Sequence, residues 1–112
     1  MEESQLLKGI LEGCVLSIIS RGETYGYEIL AELIACGFQG LMEGTLYPIL
    51  TRLEKKKLIQ CRKEKSPFGP IRKYFSITPE GEIYLNSFRG SYRKITISAD
   101  RILNQEAGNE NG

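Results

Sequence analysis

Apolar residues recur in adjacent pairs every four positions along the first twenty residues. The pairs are Leu6-Leu7, Ile10-Leu11, Cys14-Val15 and Ile18-Ile19. This spacing predicts an α-helix, and its apolar stripe is wider than that of a simple surface helix. One edge of the stripe is therefore expected to pack on the subunit's own core and the other on a partner. Gly22 suits the end of this helix, where a residue with positive φ is common.

Two further helices are predicted before residue 58. The second runs from about Thr24–Gly26 to Cys36, and glycines 37 and 40 separate it from the third. In the third helix four apolar residues share one face, and most of the remaining positions are polar or basic. These four are Leu46, Ile49, Leu50 and Leu53. Gly44 or Thr45 is the expected N-cap, because Pro48 would then fall in the first turn, where proline is tolerated.

A hairpin and a last helix follow. Residues 58–64 and 72–77 are rich in β-forming side chains, whereas residues 65–71 contain two prolines and a glycine and are expected to form the loop between them. Thr78 and Pro79 match an N-cap followed by proline at the first helical position. Three helices, a two-stranded wing and a C-terminal helix predict an α+β fold, the winged helix-turn-helix.

The last helix carries apolar residues at alternating spacings of three and four. They are Leu85, Phe88, Tyr92, Ile95, Ala99 and Ile102. A repeat of 3.5 residues is typical of a helix that packs along another helix, as in a coiled coil. We expect this seam, with Leu7 and Leu11 of the first helix, to form a homodimer interface; the alternative is a helix that lies back on its own core.

These patterns divide the chain into three parts. Residues 1–78 are predicted to form the winged helix-turn-helix domain and residues 79–105 the dimerisation helix. Residues 106–112 are polar and are expected to be a disordered tail.

The distribution of charge changes the picture that the overall composition gives. The net charge is only +1, but residues 51–74 hold nine Lys and Arg against two Glu, a local net of +7. Residues 1–50 have a net of −5 and residues 75–112 a net of −1. A concentrated positive field favours a polyanionic partner. The alternative, a solvated basic helix face, is weakened because the predicted wing carries the same sign.

Composition argues against several other classes. The chain has three widely spaced cysteines and no histidine, so neither a closed zinc site nor a nucleophile with its usual base is expected. We expect no metal, no cofactor and no enzymatic activity. No apolar run approaches the roughly 18 residues of a membrane span, and the N-terminus lacks a signal-peptide pattern. A cytoplasmic protein is therefore expected.

Three blocks of sequence resemble the PadR-like family of transcriptional regulators. They are Tyr25–Ile29 (YGYEI), Gly44–Glu54 (GTLYPILTRLE) and Gly69–Gly81 (GPIRKYFSITPEG). The resemblance implies a bacterial or phage-borne dimer, in most cases a repressor, and in some branches a response to phenolic acids or drug-like molecules. Because only one short helix follows the wing, the chain looks like a branch with a reduced C-terminal domain, which puts the phenolic-acid response in doubt.

The third helix is the expected reader of DNA in the major groove. The best candidates for base contacts are Thr45, Pro48, Thr51 and Arg52. Lys55 and Lys56 lie farther along the helix and are expected at phosphates. Tyr47 either contacts a phosphate or half-buries its ring beside the second helix. Tyr27 either contacts a phosphate or packs in the core.

The wing and the glycines of the helix starts complete the expected DNA-binding surface. The residues are Gly26, Gly44, Lys65, Ser66, Gly69, Arg72 and Lys73. A basic loop of this kind lies along phosphates or enters the minor groove. Arg72 and Lys73 are adjacent in a strand, so only one of them should face DNA.

The sequence therefore predicts a homodimeric, sequence-specific DNA-binding regulator, expected to be a repressor that binds an inverted repeat in double-stranded DNA. The alternative function is a winged helix that docks on other proteins without binding DNA. Phe88 and Tyr92 could line a pocket for a small hydrophobic or phenolic effector; the alternative there is a fully packed interface without a pocket.

Overall fold

The computed structural model describes residues 3–105, which form four helices and one small antiparallel sheet. The elements are α1 (Glu3–Ser20), β1 (Thr24–Tyr25), α2 (Gly26–Ala35), α3 (Glu43–Lys55), β2 (Ile59–Glu64), β3 (Arg72–Ile77) and α4 (Pro79–Leu103). The expected winged helix-turn-helix with an additional C-terminal helix is present. The tail predicted for residues 106–112 lies outside the described residues.

The core surrounds α1, which contacts α2, α3, β3 and α4. Because α1 has neighbours of the same chain on several sides, its wide apolar stripe is largely used within the subunit. Leu11 and Leu85 each expose only 2% of their surface in the single chain. Both side chains therefore belong to the core of the single chain and leave a partner little to contact, so their role in a dimer interface stays a prediction.

The sheet has the order β1-β3-β2, with β3 in the centre. In the wing, Ile59 pairs with Ile77 and Glu64 with Arg72, so β3 has the predicted bounds and β2 begins one residue later than predicted. The sequence analysis missed β1, which pairs Thr24 with Phe75. A two-residue strand is too short to show alternation, but it ties the start of α2 to the base of the wing.

The start of α3 differs from the prediction. Met42 is the N-cap and Glu43 the first helical residue, so Pro48 lies inside the helix rather than in its first turn. The amides of Thr45 and Leu46 both bond to the carbonyl oxygen of Met42, which begins the helix two or three residues earlier than expected. Proline at position 48 removes one helical hydrogen bond, at a cost on the order of 3 kcal/mol.

The predicted cap of α4 is confirmed. The Oγ1 of Thr78 accepts a hydrogen bond of 3.0 Å from the amide of Gly81, and Pro79 follows the cap. The same hydroxyl donates its proton to the carbonyl oxygen of Lys57, at 2.7 Å. Thr78 therefore joins the end of α3 to the start of α4. With 25 residues, α4 is not short but the longest of the described helices.

Phe88 fixes how α4 crosses α1. Its ring is half-buried and lies over Gly13, where an added Cβ would meet the ring at 2.1 Å. Beyond this crossing α4 has few contacts with the subunit, and the apolar side chains of Ile95 and Ile102 are 64% and 74% exposed. The first half of the predicted seam thus packs on its own core, and the second half is left uncovered by the described residues.

A buried carboxylate ties three helices together. Glu12 of α1 accepts hydrogen bonds from Arg52 of α3 (Nε to Oε2, 2.9 Å) and from Tyr84 of α4 (hydroxyl to Oε1, 2.8 Å). Lys56 of α3 adds a third donor, at 3.3 Å from Oε1. Burial raises the pKa of Glu12, but the hydrogen bonds from these three side chains outweigh it and hold the pKa below its ordinary value. The ionised cluster fixes α3 relative to α1 and α4.

The close crossing of α1 and α4 predicts that alanine substitutions at two glycines of α1 change the stability in opposite directions. Gly13→Ala forces the Phe88 ring to move and is expected to lower the free energy of unfolding by about 1–3 kcal/mol. Gly9→Ala is the matched control, because a Cβ there meets nothing within 4 Å and helix propensity favours alanine by up to ~1 kcal/mol. Urea unfolding followed by circular dichroism measures both; equal stability of the two variants would contradict the packing.

The Glu12 cluster predicts a specific loss of stability in acid. Glu12→Gln is expected to lower the free energy of unfolding by about 1–3 kcal/mol at neutral pH, because three donors lose a charged, buried acceptor. A carboxylate whose folded pKa is depressed stabilises the fold above its unfolded pKa, and this stabilisation disappears as the pH falls through the folded pKa. The wild type should therefore lose this contribution to stability below about pH 4.5, the ordinary glutamate value. The stability of the variant should fall less steeply over the same pH range, because it has no carboxylate to protonate at this position.

Thermal unfolding between pH 3 and 7 measures this difference, with the exposed Glu54→Gln in α3 as the control, expected within about 0.5 kcal/mol of the wild type. If the melting temperatures of the wild type and Glu12→Gln fall equally as the pH is lowered, the ionised cluster does not stabilise the fold.

Candidate nucleic-acid interface

The solvent face of α3 is opposite its buried face. Leu46, Leu50 and Leu53 are buried in the core, and a helix turns about 100° per residue. The positions farthest from this buried face are Gly44, Pro48, Thr51 and Lys55, and all four are exposed. This strip has a small residue near the helix start and a cation near its end. It presents backbone, a hydroxyl and one positive charge to a ligand.

One flank of α3 faces α1. Arg52 and Lys56 lie on this flank, and both bond to Glu12 while remaining about half exposed. The Nε of Arg52 is occupied by the carboxylate, and the ammonium group of Lys56 also lies 5.6 Å from the centre of the Tyr84 ring. The side chains predicted to contact a base edge and a phosphate thus have a second, structural role. Thr45 shares this flank and is exposed.

The opposite flank of α3 faces the start of α2. Tyr47 is 46% exposed, and its hydroxyl oxygen would lie 3.1 Å from a Cβ on Gly26. The ring is therefore half-buried beside α2, one of the two predicted alternatives, with its hydroxyl at the edge of the helix start. Gly26 is buried because it allows this close approach. Tyr27 is 71% exposed and stacks on Tyr25 at 6.5 Å, so it is not a core residue.

Alternation along β3 separates the two cations of the wing. Lys73 pairs directly with Lys63 of β2, and directly paired residues lie on the same face of a sheet. Arg72 is on the other face, with its guanidinium 4.4 Å from the centre of the Tyr25 ring. Burial and the charge of Glu54 of α3 raise the pKa of the Cys61 thiol, and the nearby ammonium groups of Lys73 and Lys63 oppose this only in part. The lysine pair therefore lies on the face of the wing that α3 adjoins.

Lys63 is the residue of this surface that the sequence analysis missed. Two lysines directly opposite each other repel and destabilise a sheet unless an anion lies between them. Neither forms an ion pair within 4 Å among the described residues. The alternation of strand residues around Phe75 could have shown that Lys63 and Lys73 share a face.

Other charges of the wing are already neutralised. Arg62 forms a two-pronged pair with Glu23, at 2.7 and 2.8 Å, and bonds to Glu64 at 2.8 Å. These hydrogen bonds raise the pKa of Arg62 and lower that of Glu23. Because Arg62 also lies 4.7 Å from the centre of the Tyr74 ring, it stabilises the base of the wing. Its charge is compensated by these two glutamates, so it adds little to the positive charge that the wing offers to a ligand.

A groove of about 980 Å³ separates the wing from the starts of α2 and α3. It brings together all five predicted wing residues with the two tyrosines of the helix starts. Its lining includes Gly26, Tyr27, Tyr47, Lys65, Ser66, Gly69, Arg72 and Lys73. Thr51, Arg52, Lys55 and Lys56 lie outside the groove, farther along α3. Glu43 and Glu64 also line it, so its positive charge is partly offset.

Metal and membrane sites are not found in the described part of the chain. Among the side chains that the structure describes, no group of three or more possible ligands could hold a metal ion. None of the described helices is long and apolar enough to cross a membrane. The three cysteines are unpaired, and burial raises the pKa of Cys14, which packs against the core.

Comparisons with known proteins give this geometry a context. A transcriptional regulator from Streptococcus is 44% identical, with a TM-score of 0.78 over 89% of this chain and 98% of that one. A PadR-like transcriptional regulator from Bacillus cereus is 43% identical, with a TM-score of 0.77 over 88% and 96%. Bacillus subtilis PadR, solved in complex with operator DNA, shares the fold at 22% identity, with a TM-score of 0.64 over 70% of this chain and 45% of that one.

The family comparison agrees with these structures. The model of the transcriptional regulator PadR-like family matches residues 15–87, from the middle of α1 to the first half of α4. This span includes the helix-turn-helix, the wing and the three sequence blocks that carried the resemblance. The chain belongs to the PadR-like family of transcriptional regulators.

Proposed function

We propose that the protein is a sequence-specific repressor that binds double-stranded operator DNA as a homodimer. The observation that carries this proposal is the set of cations without acidic partners on α3 and the adjoining face of the wing, namely Lys55, Lys63 and Lys73. A protein-docking winged helix would not need such a surface. Support also comes from the family and from the operator complex of Bacillus subtilis PadR, which has the same fold. A protein that regulates bacterial genes in this way acts in the cytoplasm.

In this proposal α3 enters the major groove with its outermost strip. Thr51 and Pro48 face the base edges, where a hydroxyl bonds to either an acceptor or a donor and an apolar ring contacts a thymine methyl group. Gly44 and Thr45 bring the helix start near the backbone, and Lys55 neutralises a phosphate. Arg52 contributes a base contact only with its terminal nitrogens, because Glu12 holds its Nε.

The wing and the tyrosines then contact the backbone beside the major groove. Lys73 and Lys63 form a divalent positive site for one phosphate, which would relieve their mutual repulsion. In the loop of the wing, Lys65, Ser66 and Gly69 are proposed to lie along the neighbouring phosphates of the same DNA strand. Arg72 would reach this DNA strand from the other face of the wing. Tyr27 and Tyr47 offer hydroxyl groups from the groove at the start of α2.

The dimer is proposed to form through the exposed half of α4. Tyr92, Ile95, Ala99 and Ile102 continue the apolar seam beyond the point where it leaves the subunit core. Leu7 of α1 packs against the core but is only half-buried, and its exposed edge is proposed to contribute to the same interface. Two-fold symmetry would present two α3 helices to DNA, so the operator should be an inverted repeat with half-sites about one helical turn apart, or a multiple of it.

The same interface would be the binding site of a small hydrophobic or phenolic effector. The rings of Phe88 and Tyr92 are nearly parallel, with an angle of 12° between them and 6.4 Å between centres. A flat compound against these rings would release DNA only if it favours a spacing of the subunits that misaligns the two recognition helices. The direct search for such an effector is a titration of planar phenolic compounds against the protein–operator complex.

The proposed DNA contacts predict a steep dependence on salt. If each subunit neutralises about four phosphates, the slope of log affinity against log salt should be near −7, at about 0.9 per contact. Lys55→Gln should make the slope shallower by about 2 per dimer without changing sequence preference. Lys56→Gln should have a smaller effect, because Glu12 already binds that ammonium group.

Fluorescence anisotropy with the protein's own upstream region, at several salt concentrations, measures these slopes. Random DNA of equal length is the control for sequence preference. A slope near zero, or equal affinity for both duplexes, would contradict the proposed function.

The proposed interface predicts that one substitution produces monomers. Ile95→Asp places a charge in the seam and should abolish dimers at micromolar concentration, because an unpaired buried charge costs several kcal/mol. Ile83→Asp is the control: Ile83 is similarly exposed, at 71%, but projects from the opposite side of α4. Sedimentation equilibrium distinguishes the two, and a wild type that is monomeric at this concentration would refute the interface.

A further inference from the structure

The tip of the wing ends in an aromatic side chain that contributes nothing to the fold. Strand pairing stops at Glu64 and Arg72, which leaves a seven-residue loop. Within it Phe68 is 100% exposed and Ile71 is 59% exposed. Fully burying a phenylalanine side chain stabilises by roughly 1.5–3 kcal/mol relative to leaving it in water. The stabilisation that Phe68 could contribute is therefore available to a partner.

The loop holds this side chain in a compact, restricted backbone. Prolines at 67 and 70 fix two φ angles on either side of Phe68, and a Cβ on Gly69 would lie 3.6 Å from the Oγ of Ser66. The loop thus folds back on itself next to the ring. Little backbone freedom remains to be lost when the tip binds, which favours insertion into a narrow site.

The charges around the tip define the chemistry of that partner. Lys65 precedes the tip, Lys63 and Lys73 lie just below it on one face, and Arg72 lies on the other face. An apolar projection with cations behind it on both faces complements a surface that has anionic edges and an apolar interior. The minor groove of DNA has this arrangement, because phosphates line both edges of a groove about 6 Å wide and base pairs form its floor.

We propose that Phe68 inserts as an apolar wedge between base pairs in the minor groove beside each operator half-site and kinks the DNA there. The inference rests on the proposed function, since it requires α3 to occupy the neighbouring major groove. Apolar side chains that enter the minor groove partly unstack a base step and bend the duplex towards the major groove. The cations of the wing hold the phosphates on either side while the ring replaces base stacking.

Such a wedge would contribute to sequence preference at base steps that α3 does not contact. Pyrimidine–purine steps unstack most easily, so operators should carry TA or CA steps where the wing enters. A wing that binds only phosphates would have no such preference.

The first test compares side chains at position 68 by anisotropy with the operator duplex. Phe68→Ala should weaken binding about tenfold or more for each wing, with the salt slope unchanged, because a neutral side chain releases no counterions. Phe68→Leu, which keeps an apolar wedge, should recover most of the affinity. Lys65→Ala should instead make the slope shallower. Ile83→Ala is the control for loss of exposed apolar surface and should bind as the wild type does.

The second test uses the absence of tryptophan from the sequence. Phe68→Trp places a single indole at the tip, whose emission should be quenched and shielded from acrylamide when operator DNA is added. Energy transfer between dyes at the two ends of the duplex should report a bend that Phe68→Ala reduces.

The outcomes separate the wedge from the proposed function. If the wild type binds the operator with a steep salt slope but Phe68→Ala binds equally well and the indole stays exposed, the wedge is wrong and the function stands. If the indole is shielded by anionic lipid vesicles and not by DNA, the tip is a membrane contact and the wedge is overturned. If the wild type binds no duplex, both proposals fail.

Discussion

The carboxylate of Glu12 is the constraint on which the orientation of α3, the proposed DNA-reading helix, depends. Its side chain is 11% exposed, so its charge must be compensated by donors from the protein. Those donors come from α3 and α4, which fixes both helices against α1 at one point. The leucines of α3 would allow the helix to slide or rotate over an apolar surface, whereas hydrogen bonds of defined direction to Glu12 hold it in one orientation. Arg52 and Lys56 thereby orient the helix that carries Thr51 and Lys55.

The same carboxylate links the helix proposed to read DNA to the helix proposed to form the dimer. Tyr84 lies on α4, two turns before the exposed seam begins, and bonds to the oxygen of Glu12 that also receives Lys56. A shift of α4 at a subunit interface would therefore change the position of the acceptor that holds α3. Two glycines allow close packing of α4 with its neighbours: an added Cβ would lie 2.1 Å from the Phe88 ring at position 13 and 2.1 Å from the carbonyl oxygen of Leu58 at position 81.

Much of the fold followed from the sequence because its signals are local. The period of the apolar residues gave the helices, two prolines and a glycine marked the wing, and Thr78-Pro79 marked the start of α4. The family assignment confirms a regulator rather than an enzyme. The structure added what the sequence did not show where the outcome depends on packing between distant segments. The stripe of α1 was divided between core and partner because the sequence does not show that α4 covers it, and Arg52 was assigned only to DNA because Glu12 is forty residues away.

The most direct test of the central claim is amide-resolved NMR of the protein as operator DNA is added. The account predicts that the perturbed amides lie at 43–55 in α3, at 63–73 in the wing and at 25–27 beside the groove. The exposed half of α4, residues 92–103, should not respond directly to DNA, because it belongs to the proposed dimer interface. Perturbations concentrated in α4, with α3 and the wing unchanged, would contradict the assignment of the reading surface.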